Sequence, residues 1–468
     1  MQLIATDNKK VVVGLGMTGL SCARYLARKQ EAFSVVDSRK QPPGLDEFKH
    51  EFPDVPLWLG EISDESLQGA NQLIISPGVG LDDPAIHRAI DDDVLVCGDI
   101  DLFRSEAQSP IVAITGSNGK STVTTLVGEM ARQAGKRVAV GGNIGVPVLD
   151  LLPVDVLEQQ EPDLYVLELS SFQLERAGNL DVEVATVLNV SADHMDRYPN
   201  VLAYHQAKHR IFRGCKQVVV NRADPLSCPL LAEGVKVWTF GLNEPDFNGF
   251  GLLEEEGVEY LAFQFDRLMP ISALQMIGRH NIENALAALA LGKAAGLAID
   301  PMLEVLREFA GLDHRCQFVG ELNGVRFYND SKGTNVGAAI AAIKGLAESV
   351  EKIVLIAGGE AKGADFSPLL PILREHVRAL VLMGEAADQL QVLCVGSLPP
   401  VKLQTVKVQT VKVQTMVEAV AEAANIGERG DAVLLSPACA SFDMFDNYQH
   451  RGDMFSQAVS ALIIERSS

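Results

Sequence analysis

Pro110-Ile-Val-Ala-Ile-Thr115-Gly116-Ser117-Asn118-Gly119-Lys120-Ser121-Thr122 is the stretch that decides the fold. A short apolar run ends in two glycines, then Lys-Ser-Thr, and the spacing predicts a helix over Val123–Gln133 that Gly135 stops. Strand, glycine loop and helix in that order form a phosphate cradle. The glycines let backbone amides wrap a triphosphate, Lys120 neutralises it, and the Ser121 hydroxyl is placed to ligate Mg²⁺. The loop departs from the standard pattern: Ile114 stands where a first glycine is expected, so the loop is shorter. A chance turn is the competing reading, and the residues that follow the loop oppose it.

Upstream, the run Lys10–Val13 leads into Gly14-Leu-Gly16-Met-Thr18-Gly19, a helical stretch to Arg28, and the strand Phe33–Asp37. This is a βαβ unit with G-x-G-x-x-G, and Asp37 lies roughly twenty residues beyond the first glycine, the dinucleotide-binding spacing. The physical content is broader than a dinucleotide. Backbone amides and a helix N-terminus await any diphosphate, Asp37 offers an acceptor to hydroxyl or ring N–H groups, and a UDP group suits the site as well as NAD. The same glycines also suit a bare strand-to-helix turn. A further strand, Leu73–Ile75, stops at Ser76-Pro77-Gly78.

Downstream, apolar runs at Arg137–Val140, Asp163–Leu169, Val184–Val190 and Gln217–Val220 alternate with helical segments, which predicts a mainly parallel sheet. Runs at Val325–Asn329, Lys352–Ala357, Ala379–Met383 and Ala432–Ser436 repeat the theme. The expected architecture is three α/β domains: Rossmann-like over 1–104, a central P-loop ATPase domain over 105–311, and Rossmann-like again over 312–468. At 468 residues the chain is too long for one core. Residues 401–415 read VKLQT-VKVQT-VKVQT, a tandem pentad that suits a local duplication on an edge strand.

With 47% hydrophobic and 22% charged residues the chain can bury large cores, so disorder is excluded. A formal charge of −21 without a basic run speaks against nucleic acid as a partner. Any anionic substrate must therefore be held by local devices such as the two glycine loops. The seven cysteines form no C-x-x-C pair, and no stretch of 18 uncharged apolar residues occurs. A cytoplasmic, unprocessed protein without a membrane partner is expected.

Several residues suit phosphate chemistry by position. Glu168 ends a strand where a carboxylate faces a metal on the phosphates, and His194 also falls at a sheet's C-terminal edge. Gly141-Gly142-Asn143-Ile144-Gly145 adds a polar loop. His205 and His209, with Lys208 between them, share one predicted helix. Without H-E-x-x-H or a third ligand they read as a solvated face rather than a zinc site. A nicotinamide oxidoreductase built on Gly14–Gly19 leaves the Lys120 loop unexplained, and an ATP-hydrolysing switch leaves the first glycine turn idle.

The strings GLGMTGLS, SPGVG, VAITGSNGKSTVTTLVGEM, GGNIG, VLELSSFQLE, NVSADHMDRY, AKHRIF, GRHNIENALAALAL, GLDHRCQ, NDSKGTN, GGEAKGADFSPL and LLSPACASFDMFDNYQHRG, in that order, resemble the Mur ligase family, and within it the D-glutamate-adding branch. That resemblance implies ATP-dependent amide formation between UDP-N-acetylmuramoyl-L-alanine and D-glutamate by a monomer, with Mg²⁺. It further implies that Thr18, Asp37, Arg39, Ser76, Pro77, Gly78 and Asn143 hold the UDP substrate. Gly116, Ser117, Asn118, Gly119, Lys120, Ser121, Thr122, Asn281, Asn284, Arg315 and Asp330 would bind ATP, with Ser121, Glu168, His194 and a carbamylated Lys208 at the metals. Lys332, Thr334, Lys362, Ser441 and Tyr448 would line the D-glutamate pocket, and Lys120, Glu168, His194 and Lys208 would carry catalysis. Gly333, Phe442 and Tyr448 depart from the branch's usual Ala, Leu and Phe, which touches fine contacts to glutamate rather than the reaction class. Another amino-acid-adding member of the family is the nearest alternative, opposed by the third-domain strings.

Overall fold

The computed structural model describes residues 9–154, 160–231, 233–396 and 408–467. Three sheets follow one another along the chain. The first contains β1 (Lys9–Val13), β2 (Phe33–Asp37), β3 (Leu57–Leu59), β4 (Ala70–Ile75) and β5 (Leu95–Cys97), in the order β3-β2-β1-β4-β5, all parallel. This is the doubly wound order, which reverses between β1 and β4 and opens a crevice at their carboxyl ends. Gly14 and Ser76 sit at those two ends, so the turn and the SPG segment face each other as strand ends, and the Ser76 hydroxyl donates to the Gly14 carbonyl at 2.9 Å.

The second sheet contains β6 (Ile111–Thr115), β7 (Val138–Gly142), β8 (Leu164–Glu168), β9 (Val184–Val187), β10 (Gln217–Asn221), β11 (Lys236–Phe240), β12 (Gly249–Glu255), β13 (Val258–Phe263) and β14 (Asp266–Pro270). Its order is β14-β13-β12-β11-β10-β9-β6-β8-β7. Seven strands are parallel, and β12 to β14 form an antiparallel meander that the alternating-run reading did not anticipate. The meander's turns, Glu255-Glu256-Gly257 and Gln264-Phe265, carry non-glycine residues at positive φ, so the usual Asn-Gly hairpin signal is missing. β6 lies between β8 and β9, which brings the phosphate loop between Glu168 and the segment after Val187.

The third sheet contains β15 (Gln317–Leu322), β16 (Val325–Asn329), β17 (Ile353–Ala357), β18 (Val377–Leu382), β19 (Gln409–Lys412) and β20 (Ala432–Leu435), ordered β15-β16-β20-β17-β18-β19. From β17 onward it repeats the first sheet's winding, with β16 and antiparallel β15 occupying the far edge. Of the tandem pentads, residues 401–407 lie outside the described residues, and Gln409–Lys412 forms the edge strand β19.

A continuous apolar core joins the first two sheets, from Val12, Leu15 and Leu26 to Phe103, Tyr165 and Val218. Phe103 and Tyr165 meet edge to face at 5.0 Å, a geometry the ring quadrupoles favour. On the other face of the second sheet, helix Arg279–Ala294 packs on helix Lys120–Gln133 and on the sheet, and its Ala285, Ala287, Ala288 and Ala290 are all fully buried. Fully buried methyls leave no space to grow into, so filling one of these positions with leucine costs about 1–3 kcal/mol in overpacking. The phosphate loop is thereby braced from behind. No helix among the described residues is long and apolar enough to cross a membrane.

Candidate active site

At the first glycine turn, Gly14 has φ +96°, and a Cβ on Gly19 would lie 1.8 Å from the Gly14 carbonyl oxygen. Only glycine permits that approach of helix Met17–Arg28 to the turn. Asp37 was read as an acceptor for a ligand, but its carboxylate is already engaged. It accepts the Leu15 amide at 2.6 Å, the Arg39 amide at 2.8 Å, and Arg39 Nε and Nη2 at 2.9 and 2.7 Å. Burial raises the carboxyl's pKa, but Arg39 and the two amides outweigh it and hold the group below the usual carboxylate range. The buried Asp37 thus fixes the turn and aims the half-exposed Arg39 at the cleft. That cleft, about 750 Å³, is lined by Thr18, Asp37, Arg39, Ser76, Pro77 and Gly78 from the first domain, and by Asn143 and Gln173 from the second.

The second glycine loop is built differently. Gly119, at φ +82°, caps helix Lys120–Gln133, where amides and the helix dipole favour an anion. Lys120 Nζ donates to the carbonyls of Gly116 at 2.8 Å and Ser117 at 3.1 Å. Lys208, on helix Val201–His209, donates to the same Gly116 oxygen at 2.8 Å and sits 4.4 Å over the Tyr204 ring. Burial lowers the pKa of both ammonium groups, and Lys120 pushes Lys208 further down. A buried and a half-buried lysine on one carbonyl oxygen, facing a loop shaped for phosphate, are an anion site in waiting.

Glu168 Oε1 accepts from Asn143 at 2.8 Å, while its Oε2 is buried without a hydrogen-bond partner among the described residues. His194, held at φ +56°, is kept toward the neutral imidazole mainly by burial, against the pull of Asp193 and with the push of Lys362. The orphaned carboxylate oxygen, the Ser121 hydroxyl and a neutral imidazole fit a Mg²⁺ that takes most of its ligands from phosphate and water. Lys208 as an ammonium does not fit such an ion, whereas its carbamate would. Among the described residues no group of three or more His, Cys, Asp and Glu is gathered tightly enough to hold a metal by itself. His205 and His209 stack at 3.8 Å, and His209 Nε2 meets the Leu226 carbonyl at 2.7 Å. Both are half-buried rather than solvated.

The third domain closes over this loop. Arg315 donates to the Ser121 hydroxyl at 2.8 Å, and Asn335 bonds Asn118 and Asp193, each at 3.1 Å. A cleft of about 260 Å³ gathers Asn118, Gly119, Thr122, Asn281, Asn284, Arg315 and Asp330, the residues expected around ATP. Burial pushes the Asp330 carboxyl up to about 7 although Ser436 donates to it at 2.6 Å. A second cavity, about 400 Å³, joins Ser117, Lys120, Ser121, Asn143, Glu168, His194 and Lys208 to Lys332, Thr334, Lys362, Ser441 and Tyr448. Gly116 lies behind it, its carbonyl occupied by the two lysines. Lys332 stands 3.7 Å over the Tyr448 ring, and Lys362 5.4 Å over Phe442. Burial, then the nearby Arg315, brings the Lys332 ammonium down to about 8. Asn143 belongs to both the 750 Å³ cleft and this cavity, and so marks where the two communicate.

Sequence reasoning missed Asp193, Asn189 and Asn335. Asn189 Oδ1 receives the Asn118 amide at 2.8 Å, which shapes the loop. Asn335 also caps helix Val336–Ala347 through Ala338, a role its position before an apolar helix signals.

Comparison with known families matches residues 8–98 to the Mur ligase MurD-like, N-terminal domain, residues 114–292 to the Mur ligase middle domain, and residues 314–439 to the Mur ligase, glutamate ligase domain. The UDP-N-acetylmuramoylalanine–D-glutamate ligase of Pseudomonas savastanoi pv. phaseolicola is 56% identical over 99% of this chain and 100% of its own length. The enzyme of that name from Marinobacter nauticus is 51% identical over the same shares. Among solved structures, the UDP-N-acetylmuramate-alanine ligase MurC of Thermotoga maritima aligns with TM-score 0.59 at 18% identity, covering 97% of this chain and 99% of that one. MurF ligase of Thermotoga maritima in complex with ADP aligns with TM-score 0.58 at 16% identity, covering 97% and 96%. Those two likenesses are of fold, and it is the full-length identity to the first two relatives that settles kinship: the chain belongs to the Mur ligase family.

Proposed function

We propose that this chain joins D-glutamate to UDP-N-acetylmuramoyl-L-alanine at the expense of ATP, releasing ADP and phosphate, as a step in peptidoglycan precursor synthesis in the cytoplasm. The observation that carries the reading is the single cavity in which Lys120 of the phosphate loop and Glu168 at the end of β8 face Lys332, Lys362 and Ser441 of the third domain. Identity above half along the whole chain to relatives named for that reaction supports it.

A carboxylate is a poor electrophile, so amide formation in water needs activation, here by phosphoryl transfer. The substrate's alanyl carboxylate attacks the γ-phosphorus of ATP, ADP leaves, and an acyl phosphate forms. The D-glutamate amine then attacks the acyl carbon and phosphate departs. Lys120 offsets charge spreading on the transferred group, and Arg315, reaching over from the third domain, completes the anion pocket. Lys332 and Lys362 pair with the two carboxylates of D-glutamate, and the Ser441 hydroxyl donates to one of them. The first-domain cleft takes the UDP group, with Arg39 toward uridine and Thr18 with the glycine turn at the diphosphate. Ser121, Glu168, His194 and Lys208, once carbamylated, would hold Mg²⁺, which would supply Lewis-acid polarisation of the phosphates. The third domain, closed over the loop, keeps water from the acyl phosphate.

Mass spectrometry after incubation with ATP, Mg²⁺, the UDP-alanyl acceptor and a mixture of competing amino acids tests the reading. The expected product carries D-glutamate alone, and phosphate release requires both acceptor and D-glutamate. Phosphate release without acceptor, or incorporation of another amino acid, overturns it.

A further inference from the structure

The wall of the 750 Å³ cleft is shared between domains: the loop Ser76–Gly80 comes from the first, and Gly142, Asn143 and Gln173 from the second. Two arginines of the second domain reach across this seam to one atom. The Val79 carbonyl accepts from Arg176 Nη2 and, at 3.2 Å, from Arg197 Nη2. Both guanidiniums share Glu175, whose Oε2 lies 3.6 Å from Arg176 Nη1 and 3.5 Å from Arg197 Nη2. Arg176 also donates to the Phe172 carbonyl at 2.5 Å, and the Arg197 guanidinium lies 4.7 Å over the Phe172 ring.

The same cluster touches the reaction site. The Phe172 ring packs edge-on against His194 at 4.8 Å, and the Arg197 amide donates to the His194 carbonyl at 2.9 Å. The Arg176 side chain is wholly buried and its Nε has no partner among the described residues. An apolar side chain would fill that seam at lower cost. A guanidinium does what an apolar residue cannot: it holds one particular carbonyl oxygen at one particular place. Neither arginine lines the cleft or the reaction cavity, so neither is placed to touch a ligand.

We propose that Arg176 and Arg197, braced by Glu175, form a strap that fixes the Ser76–Gly80 loop to the turn carrying His194, and so sets the register of the UDP end of the substrate against the reaction site. They are positioning residues, and the inference rests on the ligase reading above.

Steady-state kinetics of Arg176→Gln, Arg197→Gln, the double variant and Arg176→Lys, with each of the three substrates varied in turn, tests the strap. Each glutamine variant should raise KM for the UDP substrate about tenfold, as expected for loss of a charged hydrogen bond, and the double variant more. KM for ATP and for D-glutamate, and kcat, should move less than about twofold, and Arg176→Lys should recover part of the loss. Calorimetric affinity for the UDP substrate without ATP should fall by the same factor as KM rises. Unchanged KM in folded glutamine variants, or losses spread evenly over the three substrates, overturns the proposal. If Arg176→Gln fails to fold, Arg197→Gln, whose side chain reaches solvent, decides it. Wild-type protein that makes no amide product refutes the ligase reading, and the calorimetric arm then still decides whether the strap governs binding of the UDP group.

Discussion

The two glycine loops, Gly14–Gly19 and Gly116–Thr122, share a plan of strand, glycines and helix N-terminus, yet they solve opposite electrostatic problems. In the first, the buried anion Asp37 is satisfied by two amides and Arg39, so the turn is complete without a ligand. In the second, half-buried Lys120 and buried Lys208 lie near Arg315, and among the described residues the three donate hydrogen bonds to neutral oxygens, so the loop is incomplete until an anion arrives. Glycine spacing specifies a shape. The charges brought in from other elements specify whether that shape is a dock or a reactor.

The comparison breaks most sharply at Lys120. Lys120→Ala should lower kcat by about a thousandfold, since it removes a charge that counts most as negative charge spreads in the transition state. Affinity for the UDP substrate, measured by calorimetry, should stay within about twofold. Retained turnover would take Lys120 out of catalysis and leave the second loop as a second dock.

The reverse experiment acts on the first loop. Asp37→Ala leaves the buried Leu15 amide without its acceptor and frees Arg39, so about 1–3 kcal/mol of stability is lost by the usual cost of an unmade buried hydrogen bond. KM for the UDP substrate should rise about tenfold or more, while ATP affinity stays near wild type. Arg39→Ala keeps the turn's anchor and should raise the same KM with a smaller loss of melting temperature. If both variants lose stability equally, Arg39 rather than Asp37 holds the turn.

How far this contrast could be read from the sequence follows from its range along the chain. Gly14, Gly19, Gly116 and Gly119 are local signals, because their roles depend on backbone shape within a few residues. The first sheet's winding was legible for the same reason, as apolar runs punctuated by glycine and proline. The antiparallel meander was not, because its turns use Glu256 and Gln264 at positive φ. Nor was the engagement of Asp37, which depends on a bond back to Leu15, or the pairing of Lys208 with Lys120, since 92 residues separate Lys208 from Gly116. Arg176 and Arg197 carry no local pattern at all, and Val79 lies 97 and 118 residues away from them. Resemblance to the family named residues that the structure gathers in one cavity, and the structure supplied which of them are already paired.

The two regions should also titrate differently, and this is the subtlest way to sharpen the comparison. Lys332 faces the reaction cavity with its ammonium brought down to about 8, whereas Arg39 keeps its charge at any accessible pH and Asp37 ionises below the ordinary carboxylate range. Above pH 8 the free enzyme progressively loses the Lys332 charge that the proposed reading pairs with D-glutamate, so KM for D-glutamate should climb between about pH 7.5 and 9 by roughly three- to tenfold. KM for the UDP substrate should stay flat over that window. The linkage to stability has a definite sign: an unfolded lysine holds its proton to about pH 10.4, so between 8 and 10.4 the unfolded chain binds more protons and Lys332 costs the fold progressively less as pH rises. Lys332→Arg, which cannot lose its charge, should flatten the D-glutamate profile while leaving a usable pocket. A profile that keeps its slope in that variant would assign the titration to a group other than Lys332.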